Sequence, residues 1–201
     1  MSALTNRVFN RGSAPAWFLQ ELVAVVRSLP DTIFDRTPTV GNKDIYNKVF
    51  SDLGPYTDIT HRRAVMCEVL RVLGGFESSW KKTEGVDVSR RSATTSDNAE
   101  AGIFQTSYDA RHLDAGLRQY LITKGVDSGN EFQTRMKTDF PFAVEFNCRL
   151  LRVNTKHNGP LYRGDERKAT WPNRPKLWAA EESIYPWLSK DAVSEFQALL
   201  A

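Results

Sequence analysis

A chain of 201 residues is long enough to bury a sizeable core and fits one domain, at most one with an appendage. Its net charge of +3 would suit an anionic polymer, yet it lies far below that of a dedicated nucleic-acid binder. No stretch is both long enough and apolar enough to span a bilayer, so membrane insertion is not expected.

Residues 1–13 are polar and read as loosely held, with Asn6, Arg7, Asn10 and Arg11 breaking any signal-peptide order. Pro15 suits the first turn of a helix with Ser13 as its cap. Trp17, Phe18, Leu22, Val25, Val26 and Leu29 then form one apolar stripe that stops before Pro30. Pro30, Pro38 and Gly41 punctuate a loop. Residues 44–53 read as a short helix with Ile45, Tyr46, Val49, Phe50 and Leu53 inward, closed by Gly54-Pro55.

The stretch from 62 to 80 carries the clearest helical period. Val65, Val69, Val72, Leu73, Phe76 and Trp80 recur every three or four residues, while Arg62, Arg63, Glu68, Arg71 and Lys81 suit a wet face. Thr60 is the candidate cap. Gly74-Gly75 breaks the pattern. Two glycines inside a helix cost roughly 1 kcal/mol each relative to Ala. Either the helix bends there or something packs close to its backbone. Glu77 follows, between Phe76 and Trp80. A carboxyl in apolar company keeps its proton to higher pH, which is what a general acid needs. A carboxylate in the last helical turn also opposes the helix dipole, as functional residues often do.

Residues 81–98 form a polar loop holding Glu84, Asp87 and Asp97, in which only Val86-Asp87-Val88 alternates; Arg90-Arg91 reads as solvated. Glu100-Ala101-Gly102-Ile103-Phe104-Gln105-Thr106-Ser107 comes next. Leu113, Leu117, Tyr120 and Leu121 mark a helix over 110–122, closed by Gly125 or Gly129. Residues 131–140 show no decisive period. Pro141 opens a helix that runs through Val144, Phe146, Cys148, Leu150, Leu151 and Val153 to about 156, apolar over much of its surface and therefore central. Asn158-Gly159-Pro160 stops it. The tail is irregular around Trp171-Pro172 and Arg174-Pro175. A terminal helix over 191–200 follows, capped by Ser189, with Val193, Phe196 and Leu199 inward. Cys67 and Cys148 sit among apolar neighbours, as buried thiols or as a bridge. There is no His-x-x-x-His and no Cys-x-x-Cys, so neither metal nor cofactor is expected.

Glu77-Ser78-Ser79-Trp80, followed after a polar loop by Ala101-Gly102-Ile103-Phe104-Gln105, resembles the lysozyme-like superfamily, above all lytic transglycosylases and goose-type lysozymes. The resemblance is strongest over 62–165. His157-Asn158-Gly159-Pro160 falls where that group carries Tyr-Asn-x-Gly, with His157 in place of the Tyr and a spacing one residue shorter. It implies a mainly α, lysozyme-like single domain over 1–201, with a central buried helix, a small loop or β-hairpin beside the cleft and an N-terminal helical extension over 14–55. It further implies cleavage of β-1,4 bonds between N-acetylmuramic acid and N-acetylglucosamine, with Glu77 as general acid/base.

A hydrolase would need a second carboxylate, Asp97 or Glu100, whereas a transglycosylase lets the sugar's own 6-hydroxyl attack. Ser78, Gly102, Phe104, Gln105, Tyr108 and Asn158 are the candidate substrate-binding residues. Gly102 would let backbone approach sugar or the Glu77 helix, and Gln105 offers both a donor and an acceptor. The expected partner is peptidoglycan or a related N-acetylhexosamine polymer, met by a monomer without nucleic acid. The enzyme would be made in the cytoplasm and reach the wall by lysis or export, as an endolysin or as an injected effector countered by an immunity or inhibitor protein. Two other readings stay open: a chitinase- or chitosanase-type glycosidase on the same fold, and a non-catalytic glycan- or nucleic-acid-binding helical module.

Overall fold

In a computed structural model, residues 2–35, 44–85, 94–157, 159–170, 173 and 180–201 are described. The Val86-Asp87-Val88 fragment, Arg90-Arg91, Asn158 and Trp171-Pro172 lie outside them. The protein is mainly α-helical: α1 (Ala16–Ser28), α2 (Ile45–Lys48), α3 (Phe50–Leu53), α4 (Ile59–Ser78), α5 (Ala115–Thr123), α6 (Gly129–Thr138), α7 (Phe140–Val153), α8 (Gly164–Thr170) and α9 (Lys190–Leu200). Among the described residues, β pairing is limited to the isolated bridges Val8–Gly12 and Ala101–Thr106. No helix among them is long and apolar enough to cross a membrane.

The helix α4 runs through the larger of two apolar clusters, against α1, α9 and one side of α7. The smaller cluster lies on the other side of α7, where Phe142, Phe146 and Leu150 meet Leu117, Tyr120, Phe132 and Met136 from α5 and α6. The broadly apolar surface of α7 is thus explained: it faces both cores. Asp139 caps it, accepting from Phe142 N–H at 3.0 Å, with Pro141 in the first turn. Cys67 and Cys148 are both buried free thiols.

Most of the wet face expected on α4 is buried: Arg62 is half-exposed and Lys81, past the helix end, faces solvent, but the other three charged positions do not. Arg63, Glu68 and Arg71 are buried with the apolar residues, and each is satisfied inside. Arg63 donates to the carbonyls of Val26 and Leu29 and pairs with Asp31. Arg71 holds Glu68 with two bonds of 2.7 and 2.8 Å, and Ser189 N–H donates to the same carboxylate at 2.8 Å. Charges at helix positions that a periodicity argument assigns to solvent can be buried when such partners await them.

Other boundaries differ locally. Asp58, not Thr60, caps α4, accepting from His61 N–H at 2.8 Å. Pro15 is itself the cap position of α1, and the Ser13 hydroxyl donates instead to the Thr5 carbonyl. The 44–53 helix breaks at Val49 into α2 and α3, leaving Phe50 54% exposed. Leu113 and Leu199 also face outward. The N-terminal segment is not loose: Leu4 and Val8 are buried in the main core.

Candidate active site

The two glycines of α4 make room for a chain reversal. Ser79, at φ 54° and ψ 39°, and Trp80, at φ 60°, are both left-handed, a conformation that costs a non-glycine residue about 1 kcal/mol or more. The reversal folds the Trp80 indole back along the helix it has just left. Its Nε1 donates to the Arg71 carbonyl at 2.9 Å. A Cβ on Gly75 would stand 2.8 Å from indole Cζ2, and one on Gly74 would stand 3.0 Å from Ile103 Cγ2. α4 runs unbroken through Gly74-Gly75, and the indole and the returning Ile103-Phe104 pack directly on its bare backbone.

The segment 101–106 returns as a tight turn. Ala101 and Thr106 exchange backbone bonds of 3.2 and 3.3 Å, Gly102 has φ +73° and Gln105 has φ 44°. The Gln105 side-chain amide closes the turn on the Gly102 carbonyl at 2.8 Å. The Thr106 hydroxyl donates to the Asn147 side-chain carbonyl of α7 at 2.9 Å. The residues predicted to line a sugar groove therefore have other work. Phe104 is wholly buried against Gly74, and Gln105 is buried and spent on its own turn. Gly102 is needed because the backbone runs against the Met136 carbonyl of α6, rather than against the Glu77 helix. The Ser78 hydroxyl, also buried, donates to the Gly74 carbonyl at 3.3 Å and accepts from Lys81 N–H at 3.1 Å. Tyr108 is buried beside Phe132 under the Arg111 guanidinium, 3.7 Å from the ring centre.

What the turn does position is Glu100, the residue just before it. Glu77, in the last turn of α4, and Glu100 are both only partly buried. Burial of the Glu77 carboxyl, reinforced by the negative charge of Glu100 and opposed by Arg11, pushes its pKa up to about 8. The two carboxyls sense one another, and Glu77 is mostly protonated at neutral pH.

Asp97 is placed differently. It pairs with Arg111 at 3.0 Å, and its carbonyl accepts from Asp109 N–H at 2.9 Å, which pins the short helix Tyr108–His112. Arg111 also faces Asp109 at 3.6 Å. Close by is His157, whose protonated form is disfavoured by burial and only partly restored by Asp109; its Nε2 is buried without a hydrogen-bond partner among the described residues. Asn158 falls outside those residues. Of the candidates, then, Glu77 and Glu100 lie within electrostatic range of one another, and Asp97 sits in a salt bridge with Arg111.

Arg11 was not a candidate. No period or motif marks it, and the apolar pairs Ala3-Leu4 and Val8-Phe9 in an otherwise polar stretch are the trace the sequence carries of a docked segment. Searches against protein-family models, curated proteins and solved structures find no match to this chain.

Proposed function

We propose that this protein is a lysozyme-like glycan-cleaving enzyme acting on the β-1,4 bonds of peptidoglycan, with Glu77 as its general acid. One observation carries the reading: a carboxyl that keeps its proton to about pH 8 stands beside a second carboxyl at a partly open surface. Glycosidic cleavage requires that combination, because the departing alkoxide is a poor leaving group until it is protonated and the sugar left behind is cationic.

In this reading Glu77 gives its proton to the glycosidic oxygen as the C1–O4 bond breaks. Glu100 stabilises the positive sugar and takes a proton from the water whose oxygen adds to C1. The cycle closes as Glu100 gives its proton up to solvent and the Glu77 carboxylate takes one from it. Were the substrate's 6-hydroxyl to attack instead, its proton would return to Glu77 and an anhydro end would form; the nearness of Glu100 favours water. Asp97 has no part in the chemistry, and Phe104, Gln105 and Gly102 support the wall of the site from behind.

The test is release of soluble fragments from purified cell walls, with mass spectrometry of their ends. Reducing ends are expected. Anhydro-muramyl ends would convert the reading to a transglycosylase, and absence of any release by a folded protein would sink both.

A further inference from the structure

The N-terminal turn is fastened to the end of α4 more firmly than a polar leader needs to be. Val8 N–H donates to the Gly12 carbonyl at 2.8 Å and Arg11 N–H to the Val8 carbonyl at 2.9 Å, closing a short loop. Phe9 holds φ 45° at its tip, a left-handed value that disfavours a side chain. Its ring stacks on Phe76, with centroids 5.9 Å apart and planes within 8°, and meets Trp187 edge-on at 6.0 Å. Val8 is buried over Gly75. The Asn6 carbonyl accepts from the buried Arg71 at 3.2 Å. Phe76 and Gly75, on which the loop is anchored, lie within two residues of Glu77, so the loop tip sits over the last turn of α4 and carries Arg11 there.

Arg11 is exposed, and among the described residues it makes neither an ion pair nor a side-chain hydrogen bond. Other arginines near these cores behave differently. Arg71 grips Glu68, and Arg152 grips Asp44 at 3.0 Å. A strained and anchored turn that delivers an uncommitted guanidinium to a pair of carboxyls is arranged for a third party.

We propose that Arg11 is a specificity residue that binds a carboxylate of the substrate beside Glu77. The inference rests on the glycan-cleaving reading and narrows it to glycans bearing carboxylates, such as lactyl groups or acidic peptide stems, in preference to neutral or cationic N-acetylhexosamine polymers. Guanidinium and carboxylate match as a two-pronged, charge-assisted pair. That contact also offsets the repulsion a negative substrate would meet from Glu100. Among the described residues, the charged groups that act on Glu77 are Glu100 from the 94–100 segment and Arg11 from the N-terminal turn.

The experiment compares wild type, Arg11→Gln and Arg11→Lys on muramyl-containing oligosaccharides and on uncharged chitooligosaccharides. In parallel, binding of both ligands is measured by calorimetry in the Glu77→Gln background, with and without Arg11→Gln. For Arg11→Gln, KM on the muramyl substrate should rise about 5- to 10-fold with kcat within about 3-fold, and the neutral substrate should be unaffected. Arg11→Lys should recover part of the loss. Equal losses on both substrates, or none on either, overturn the inference while leaving the enzyme reading intact. Binding of muramyl ligand that depends on Arg11, in a protein that cleaves neither substrate, would overturn the enzyme reading and keep the inference. Neither cleavage nor binding of either ligand overturns both.

Discussion

Glu68 and Glu77 lie nine residues apart on one helix, and burial raises the pKa of both. They differ in what meets them. At Glu68 burial is answered by the bidentate Arg71 and by the Ser189 N–H, so the buried charge is tied to α9 and to the N-terminal segment through Asn6. At Glu77 the charges that act on the carboxyl are another carboxyl, Glu100, and an exposed opposing cation, Arg11. A buried charge with its bonds complete holds elements together. A carboxyl left without compensation, beside a like charge, keeps a proton ready to give.

The comparison can be broken most sharply at Glu77. Glu77→Gln should lower wall-cleaving activity by ~10³-fold or more, since the proton donor is lost and the shape is kept. Circular dichroism should be unchanged; full activity in the variant would end the assignment. At Glu68 the effect should fall on stability. Arg71→Met leaves a buried carboxylate without its partner and should cost about 3–4 kcal/mol in urea unfolding.

Glu77→Gln should, by contrast, stabilise the fold at alkaline pH. The folded pKa of about 8 lies above the value of 4.5 expected for an unperturbed Glu, so the folded state binds the extra proton. Stability from this group is complete below about pH 4.5 and is lost as pH rises toward 8. Removing the carboxyl at pH 7.5 should return on the order of 2 kcal/mol, about half of what the whole shift would give, because water reaches part of the side chain. The activity of wild type should fall as pH climbs through about 8, and an unchanged rate to pH 9.5 would contradict an acid role for Glu77. Gly75→Ala should destabilise by ~1–2 kcal/mol by crowding Trp80. The smallest effect is expected for Asp97→Asn, which should change activity by less than about 3-fold and loosen only the Arg111 salt bridge.

Much of the helical frame was legible beforehand. The stripe over 16–28, Pro141 at the start of α7 and the Ser189 cap of α9 are local signals that need no partner to be read. Glu77 was legible for a similar reason: apolar neighbours in sequence on a helix are neighbours in space. The surroundings of Arg63, Glu68 and Arg71 were not: Glu68 and Arg71 pair along α4, but their burial is completed by the N-terminal segment and the start of α9, and Arg63 is met by α1 and the segment after it; periodicity cannot say what a charged position will face. Gly74-Gly75 announced a close approach without naming the indole that makes it. Asp97 and Glu100 could not be ranked from spacing, since three residues along a turn reverse the direction of a side chain.

The longer helices, the Ser189 cap and a carboxyl set beside aromatic residues are short-range consequences of side-chain type, and residue order alone determined them. Which charges were left unanswered was decided only when the chain closed. The Ser189 N–H reached Glu68, Arg111 reached Asp97, and the N-terminal turn carried Arg11 over the end of α4. Electrostatic energy depends on distance through space and on the surrounding dielectric, and neither exists until distant segments pack.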